Sequence, residues 1–409
     1  MTRGTVQRFT LLGTLYFAQG LPFGFFVQAL PVLLRKAHYS LSAIGLATLL
    51  SAPWAMKFLW APYVDTHYSS RLGRRRTWIL AMQAAGTLVL AGITVMPGTE
   101  SLGALMAAMV VLNFIAATQD IATDGLAVEV LTPDERGRAN GLQVAAYRVG
   151  MIVGGGALLG LYDVIGHRGV FAVMTALTAL SSVPVMFARE PATVTAAAAR
   201  VHAAPRVPHW LRLPGVWRVL AVVVAYKLGE SAAQGMLKPF LVDRGLDLED
   251  IAWISGTISA GAGMTGAMVG GWAVARLGRL RALVAFGIAQ VVTVVGYAYL
   301  ALGQPSYTEL CVWAGVEHLA SGAATASLFT AMMDWSRPEA SGTDYTVQAS
   351  AVVITTGITS ALGGVSAQLL GYGAHFALSA VLCALAIVIV VRCFPRDGFP
   401  RAAGPALRA

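Results

Sequence analysis

Charge is scarce in this sequence. Only 12% of its 409 residues are Asp, Glu, Lys or Arg, where an ordinary soluble domain has roughly 25%. Hydrophobic residues make up 56% of the chain, and a water-soluble fold of that composition would expose large apolar patches. Cysteine is scarcer still. Cys311, Cys383 and Cys393 have neither metal-ligand spacing nor evident disulfide partners, which excludes a disulfide scaffold or a zinc module. The chain also lacks an H-E-x-x-H pair, a nucleophile elbow and a P-loop, so zinc hydrolysis, acyl-enzyme chemistry and ATP as an energy source have no support. Nor does an intramembrane aspartyl protease fit, because the aspartates of "AATQDIATDG" (116–125) share one segment and have no Gly-x-Gly-Asp context. No enzyme and no cofactor is expected.

What the chain has instead is a succession of apolar blocks about twenty residues long, the length of a helix across a bilayer. They fall at 9–34, 41–64, 77–96, 101–130, 139–162 and 168–188, then at 215–242, 249–275, 280–302, 305–333, 344–370 and 373–393. Breakers such as "MPGTE", "TPDERGR", "GQPS" and "SRPEASG" mark connections between them. The fold class expected is an all-α membrane protein of twelve transmembrane helices in two pseudo-symmetric six-helix halves. Arg3 and Arg8 precede the first block as in a signal peptide, but the block continues to Leu34, too far for a cleaved apolar region. The net charge of +9 is spread over the connections, which argues against nucleic acid as a partner. Arg35, Lys36, Arg168 and Arg244 fall on one side, and Lys57, Arg148, Lys227 and Lys238 within spans, leaving 21 of the 29 basic residues on the other side. That asymmetry places both termini of a multi-pass membrane protein in the cytoplasm.

The division expected is a first half at 1–188, a cytoplasmic linker at 189–214, a second half at 215–393 and a tail at 394–409. The linker is rich in Pro and Ala, as "REPATVTAAAARVHAAPRVPHW" shows. The halves resemble each other. "RLGR" occurs at 71–74 and at 276–279, 205 residues on, and at the same offset Glu129, Pro133, Asp134, Gly137 and Gln143 match Asp334, Pro338, Glu339, Gly342 and Gln348. Duplication of a six-helix unit is a transporter signature, with the substrate path between the halves.

Particular stretches carry a family resemblance. "APYVDTHYSSRLGRRR" (61–76) resembles the loop between the second and third helices of the major facilitator superfamily, with Ala61 in place of the leading glycine and a few extra residues. "YFAQGLPFGF" (16–25), "KFLWAPYVD" (57–65), "QDIATDG" (119–125), "DERGRANGLQ" (134–143) and "YRVG" (147–150) together resemble the AmpG-like muropeptide permeases and related acetyl-CoA transporters, mainly across the first half. The AmpG-type permeases carry two further helices. "QGLPFGFFVQALPVLLR" (19–35) looks most like the compact twelve-helix branch that includes importers of ferric siderophores. The resemblance implies a secondary transporter, with protons as coupling ion and a small-molecule substrate. A siderophore- or muropeptide-like solute leads; acetyl-CoA or another anionic metabolite, or a non-transporting sensor, is the alternative. The chain is expected to act in the lipid bilayer as a monomer.

The marked residues are the polar ones inside apolar blocks. Asp120 and Asp124 lie one helical turn apart and project from one face. Arg148 on the next helix is the expected counter-ion of Asp120, which makes Asp120 a proton-coupling candidate; the alternative is a buried pair that pins two helices. The resemblance implies a conformational latch at the membrane edge from Asp65, Arg74, Arg75 and Arg76, with Asp124 and Glu129 as partners. Ala275 precedes the second "RLGR", so a latch there is expected to be weaker or different. Lys57 reads as an anion-binding group or as a lysine snorkelling to the edge. Lys227 and Glu230 are three residues apart and either neutralise each other or face substrate. Glu317 is a further cavity and proton candidate, whereas His318 reads as a hydrogen-bonded packing residue. Gln19, Gln28 and Gln234 complete the cavity candidates, the first two on a helix kinked by Pro22. Helix five lacks the proline of the antiporter motif, which favours symport. Gly261, Gly263 and Gly266 spell G-x-G-x-x-G inside a helical block, which reads as helix packing rather than a dinucleotide site.

Overall fold

The computed structural model describes residues 3–30, 51–96, 102–188, 190 and 207–395, and the regular structure among them is helical. In lipid a backbone must satisfy its own hydrogen bonds, and the helix does so within one segment. α1 runs Arg3–Gly24 and continues through a π-turn, Phe25–Ala29. α2 spans 52–66, with a 3₁₀ turn at Lys57–Leu59. α3 is Arg74–Val95 and α4 is Leu102–Val130. α5 begins at Pro133 and passes through a π-turn, Ile152–Ala157, to Gly160; α6 is Tyr162–Phe187. α7 is Val216–Asp243, and α8 runs from Leu248 through a π-turn, Trp253–Ile258, to Leu277. α9 is Arg279–Leu302 and α10 is Tyr307–Asp334. The last helical stretch, Ser341–Cys393, breaks at Gly371, which separates α11 from α12.

Among the described residues these twelve segments match the twelve apolar blocks. α1, α6 and α5 each start six residues before their blocks, α5 at Pro133 rather than 139. Its first turns are polar, with Asp134 and Glu135 placed where acidic groups favour a helix N-terminus. The beginning of the second block, 41–50, and the greater part of the linker lie outside the described residues. Among the described residues seven spans are long and apolar enough to cross a membrane by length and composition; α7 and α10, which carry Lys227, Glu230 and Glu317, are not among them.

The internal repeat recurs in the backbone. Gly73 and Gly278, 205 residues apart, both take positive φ (101° and 79°) at the entry to α3 and α9. Gly166 and Gly371 repeat this at the same offset, with φ of 64° and 78°. Glycine adopts that conformation without the steric cost a Cβ imposes.

The chain separates into two compact units. The first comprises Met1–Leu131, Ala146–Val207 and Pro338–Thr346; the second comprises Thr132–Ala145, Pro208–Arg337 and Val347–Ala409. Each half of the sequence thus lends the other half's unit the segment that starts its fifth helix. Within the first unit α1 crosses the later part of α5 at small residues. A Cβ on Gly20 or Gly24 would run into the backbone at Tyr147 or Met151, and one on Gly150 or Gly154 into that of Phe17 or Leu21. Phe25, Phe26, Leu90, Met109 and Phe171 form an apolar core beside this crossing. In the second unit α8 meets α10 in the same way. Gly263 and Gly266 abut Gly322 and Leu319, so two glycines of the G-x-G-x-x-G pattern serve helix packing.

Candidate functional site

The two aspartates of α4 are buried in the first unit and differently engaged. The Lys57 ammonium, on the 3₁₀ turn of α2, is ion-paired with Asp120. The Tyr16 hydroxyl of α1 donates to Asp124 Oδ1 at 2.7 Å. Among the described residues this carboxylate pair has one ammonium in contact. Lys57 is 2% exposed, so it neither snorkels nor stands free for an anion. Lys57 is thus an ion-pair partner of Asp120 that the sequence did not single out as such; Arg148, the partner expected from sequence, lies on α5 and is half-buried. Aromatic rings flank the pair. The Lys57 ammonium lies 5.5 Å from the Trp54 ring centroid, and the Trp54 indole donates to Asn113 Oδ1 at 3.0 Å. Phe23 packs edge-on against Trp54 at 5.5 Å and against Tyr147 at 5.8 Å.

The second unit holds a matching polar cluster. Lys227 and Glu230 pair at 2.8 Å, and the Lys227 ammonium also donates to Thr325 Oγ1 at 2.8 Å. Ser321 donates to Glu230. Gln234 bridges the cluster through its amide nitrogen, to Glu317 Oε1 at 3.2 Å and to Ser321 Oγ at 3.0 Å. Glu317 is 1% exposed and has Tyr297 and His318 beside it. His318 Nδ1 sits 2.8 Å from Glu317 Oε2, so it is a partner of that carboxylate as well as a residue that packs. Gln28 stands apart on the exposed side of the α1 π-turn.

At the α2–α3 loop the first unit carries a dense ionic cluster. Arg75 reaches Asp65 Oδ1 at 2.6 Å and Glu129 Oε1 at 2.6 Å, while Arg74 reaches the same two oxygens at 3.2 and 3.3 Å. The cluster grips the segment that starts α11. Asp65 Oδ2 accepts from the Thr343 amide at 2.7 Å and its hydroxyl at 2.5 Å, Glu129 Oε1 accepts from Ser341 at 2.5 Å, and Arg74 donates to the Glu339 carbonyl at 2.8 Å. Two expected members lie elsewhere. Asp124 is five residues from Glu129, about 140° around the helix, and so faces Tyr16. One turn before Glu129 stands Gly125 instead, where a Cβ would lie 2.6 Å from Arg75 Cζ. Arg76 donates to the carbonyls of Val185 and Met186 at the end of α6. Glu190, just beyond α6, returns the favour by accepting from the amides of Arg74, Arg75 and Arg76 at 2.6–2.8 Å, which satisfies the first N–H groups of α3.

A second cluster in the second unit follows the repeat. Arg279 Nε pairs with Asp334 Oδ2 at 2.6 Å, and Arg136 Nη1 with Asp334 Oδ1 at 2.7 Å. These positions lie 205 residues from Arg74 and Glu129, and Arg136 corresponds to Ser341. Arg279 donates to the Pro133 carbonyl at 2.6 Å, as Arg74 does to Glu339. The missing aspartate before the second "RLGR" is therefore not the end of the pattern there. Its side chains are more exposed, 14–26% against 0–2%, and exposed ion pairs contribute less.

Sequence comparison agrees with this duplicated helical architecture: the Major Facilitator Superfamily profile matches residues 12–314 and again 228–409. The chain belongs to the Major Facilitator Superfamily. It is a multi-pass membrane transporter of that superfamily, not an enzyme. It is 28% identical over 391 residues to the anhydromuropeptide permease of Escherichia coli K12, covering 94% of this chain and 79% of the relative. It is 23% identical over 385 residues to a putative transporter AmpG 4 of Rickettsia felis, covering 91% and 93%. The fold superposes on the human organic anion transporter MFSD10 with a TM-score of 0.74 at 15% identity, over 95% of this chain and all of that one. Sequence reasoning missed Tyr16, Ser341, Thr343 and Arg136; only the 205-residue offset pointed toward Asp334.

Proposed function

We propose that this transporter is a proton symporter that imports a muropeptide-type solute across the bacterial inner membrane, with both termini cytoplasmic and a monomer as the working unit. The observation that carries the coupling is the buried carboxylate pair Asp120–Asp124 with a single ammonium, Lys57, in contact. With the ammonium on Asp120, the Asp124 carboxylate has a neutral hydroxyl as its contact, and a buried carboxylate so placed favours a proton. With Asp120 held by Lys57, the coupling proton is assigned to Asp124 and its hydroxyl partner Tyr16. Glu230 and Glu317, joined through Gln234, are the reserve site in the second unit. Similarity across 94% of this chain to a protein named anhydromuropeptide permease favours a muropeptide over a ferric siderophore or acetyl-CoA. Within the first unit, Phe23, Trp54 and Tyr147 beside Asn113 offer the aromatic and amide surface that sugar rings use. The Arg74/Arg75–Glu129 and Arg279–Asp334 clusters act as latches that part when the transporter changes state.

The test is uptake into proteoliposomes under an imposed pH gradient, using a labelled anhydro-disaccharide peptide. Accumulation should collapse with an uncoupler and be competed poorly by a ferric siderophore. Asp124→Asn, a mimic of the protonated form, should abolish accumulation and spare downhill exchange. Gradient-driven accumulation by that variant would move the proton site to the Glu230–Glu317 cluster. Uptake of the siderophore in preference to the muropeptide would overturn the substrate assignment.

A further inference from the structure

Within the first unit a cavity of about 30 Å³ lies among α1, α3, α4 and α6, bordered by Ala18, Gln19 and Pro22 on α1, Gln83 on α3, Gln119 on α4 and Thr178 on α6. Gln19, Gln83 and Thr178 are all more than nine-tenths buried. Both amide atoms of Gln19, the Gln83 Oε1 and the Thr178 hydroxyl have no hydrogen-bond partner among the described residues. Gln83 Nε2 has only a long contact, 3.5 Å, to Ser181 Oγ. Pro22 adds a fifth group. It has no N–H, so the Ala18 carbonyl four residues before it loses its helical donor. Four polar side-chain atoms and one freed carbonyl thus belong to residues that border one small cavity.

We propose that this cavity is a water-binding site that completes the hydrogen bonding of α1 at its Pro22 bend. Size and chemistry select the ligand. A water needs roughly 10–15 Å³ of such space and two to four polar partners, so the site takes one or two molecules and excludes any organic solute. Its walls offer both donors and acceptors, which suits water. They hold no carboxylate, so a bare cation would find only neutral oxygens. Prolines within membrane helices are tolerated where ordered water or side chains satisfy the freed backbone groups. Here the groups that would otherwise do so are themselves without partners. Pro22 sits nearly two turns beyond Tyr16, which donates to Asp124, and just before the π-turn Phe25–Ala29, a feature that recurs at functional sites. The hydrated bend gives α1 a place to flex beside the buried carboxylates. This inference does not depend on the solute or on proton coupling.

The test has two arms on the full-length protein in nanodiscs. A high-resolution density map should show an ordered peak within hydrogen-bond distance of the Ala18 carbonyl and at least two of Gln19, Gln83 and Thr178. Thr178→Val and Gln83→Met should each lower the thermal midpoint by a few degrees, and the double variant by less than the sum, because the partners share one water. A map in which the Gln19 and Gln83 amides bond each other with no intervening peak overturns the proposal. So does a double variant whose midpoint is unchanged or higher, since removing truly unpartnered polar atoms relieves a penalty.

Discussion

The residue whose role is most altered by its surroundings is Lys57. In sequence it is one cation in an apolar run. In the fold it is the ammonium paired with the buried Asp120. Removing one partner of such a pair strands the other charge, at a cost of about 3–5 kcal/mol, whereas replacing both by apolar groups is far milder. Lys57→Met should therefore lower thermal stability strongly, and Lys57→Met combined with Asp120→Leu should recover most of the loss. Differential scanning fluorimetry of the purified protein checks this; equal loss in single and double variants would mean that no buried ion pair exists. Asp120 was legible because a carboxylate in an apolar helix demands an explanation. Its partner was not, because the register of α2 against α4 is set by packing that sequence spacing does not encode. Tyr16 was illegible for a plainer reason: an uncharged aromatic in a membrane helix attracts no notice.

At the scale of elements, the α2–α3 loop and α4 are fitted to each other by an absence. Gly125 sits one turn before Glu129 and leaves the space that the Arg75 guanidinium fills. Arg75 has no room to retreat, being fully buried with carboxylates on both sides. Gly125→Val should thus displace Arg75 and reproduce the stability loss of Arg75→Met. Gly92→Val on α3, where a Cβ meets nothing within 4 Å, should be near neutral. Thermal unfolding of the three variants decides it, and a Gly125→Val protein as stable as wild type would show that Arg75 is not held there. The helices themselves were almost wholly legible, since apolar blocks of membrane-spanning length leave little choice of structure. The ends were less so. Polar first turns hid the true start of α5, and the arginine loop's grip on Ser341 and Thr343 involves hydroxyl and amide groups that carry no charge signal.

At the scale of the whole molecule the repeat in the sequence becomes a crossed pair of contacts. Arg74, from the first half, holds the Glu339 carbonyl at the start of α11. Arg279, from the second half, holds the Pro133 carbonyl at the start of α5. The 205-residue offset foretold equivalent residues but not the crossing, because a repeat specifies like positions and says nothing of which segment each will meet. The crossing has a consequence for alternating access. In the latch role proposed above, each cluster ties a segment of one half of the sequence to a loop of the other, the first within unit 1 and the second within unit 2. Loss of either should shift the population without completing the change, since a two-state equilibrium moves only by the differential free energy removed. Amide exchange measured by mass spectrometry reads the two grips separately. Asp65→Asn or Glu129→Gln should speed exchange in residues 338–346, where the Thr343 amide is bound by Asp65, and leave 133–141 nearly unchanged. Asp334→Asn should do the reverse, more weakly, because its cluster is partly exposed. Combining Glu129→Gln with Asp334→Asn should speed both segments beyond the sum of the singles, as the open state becomes populated. If either single variant speeds both segments equally, the two clusters are one cooperative lock; if the double variant speeds neither, the clusters do not restrain the transport cycle.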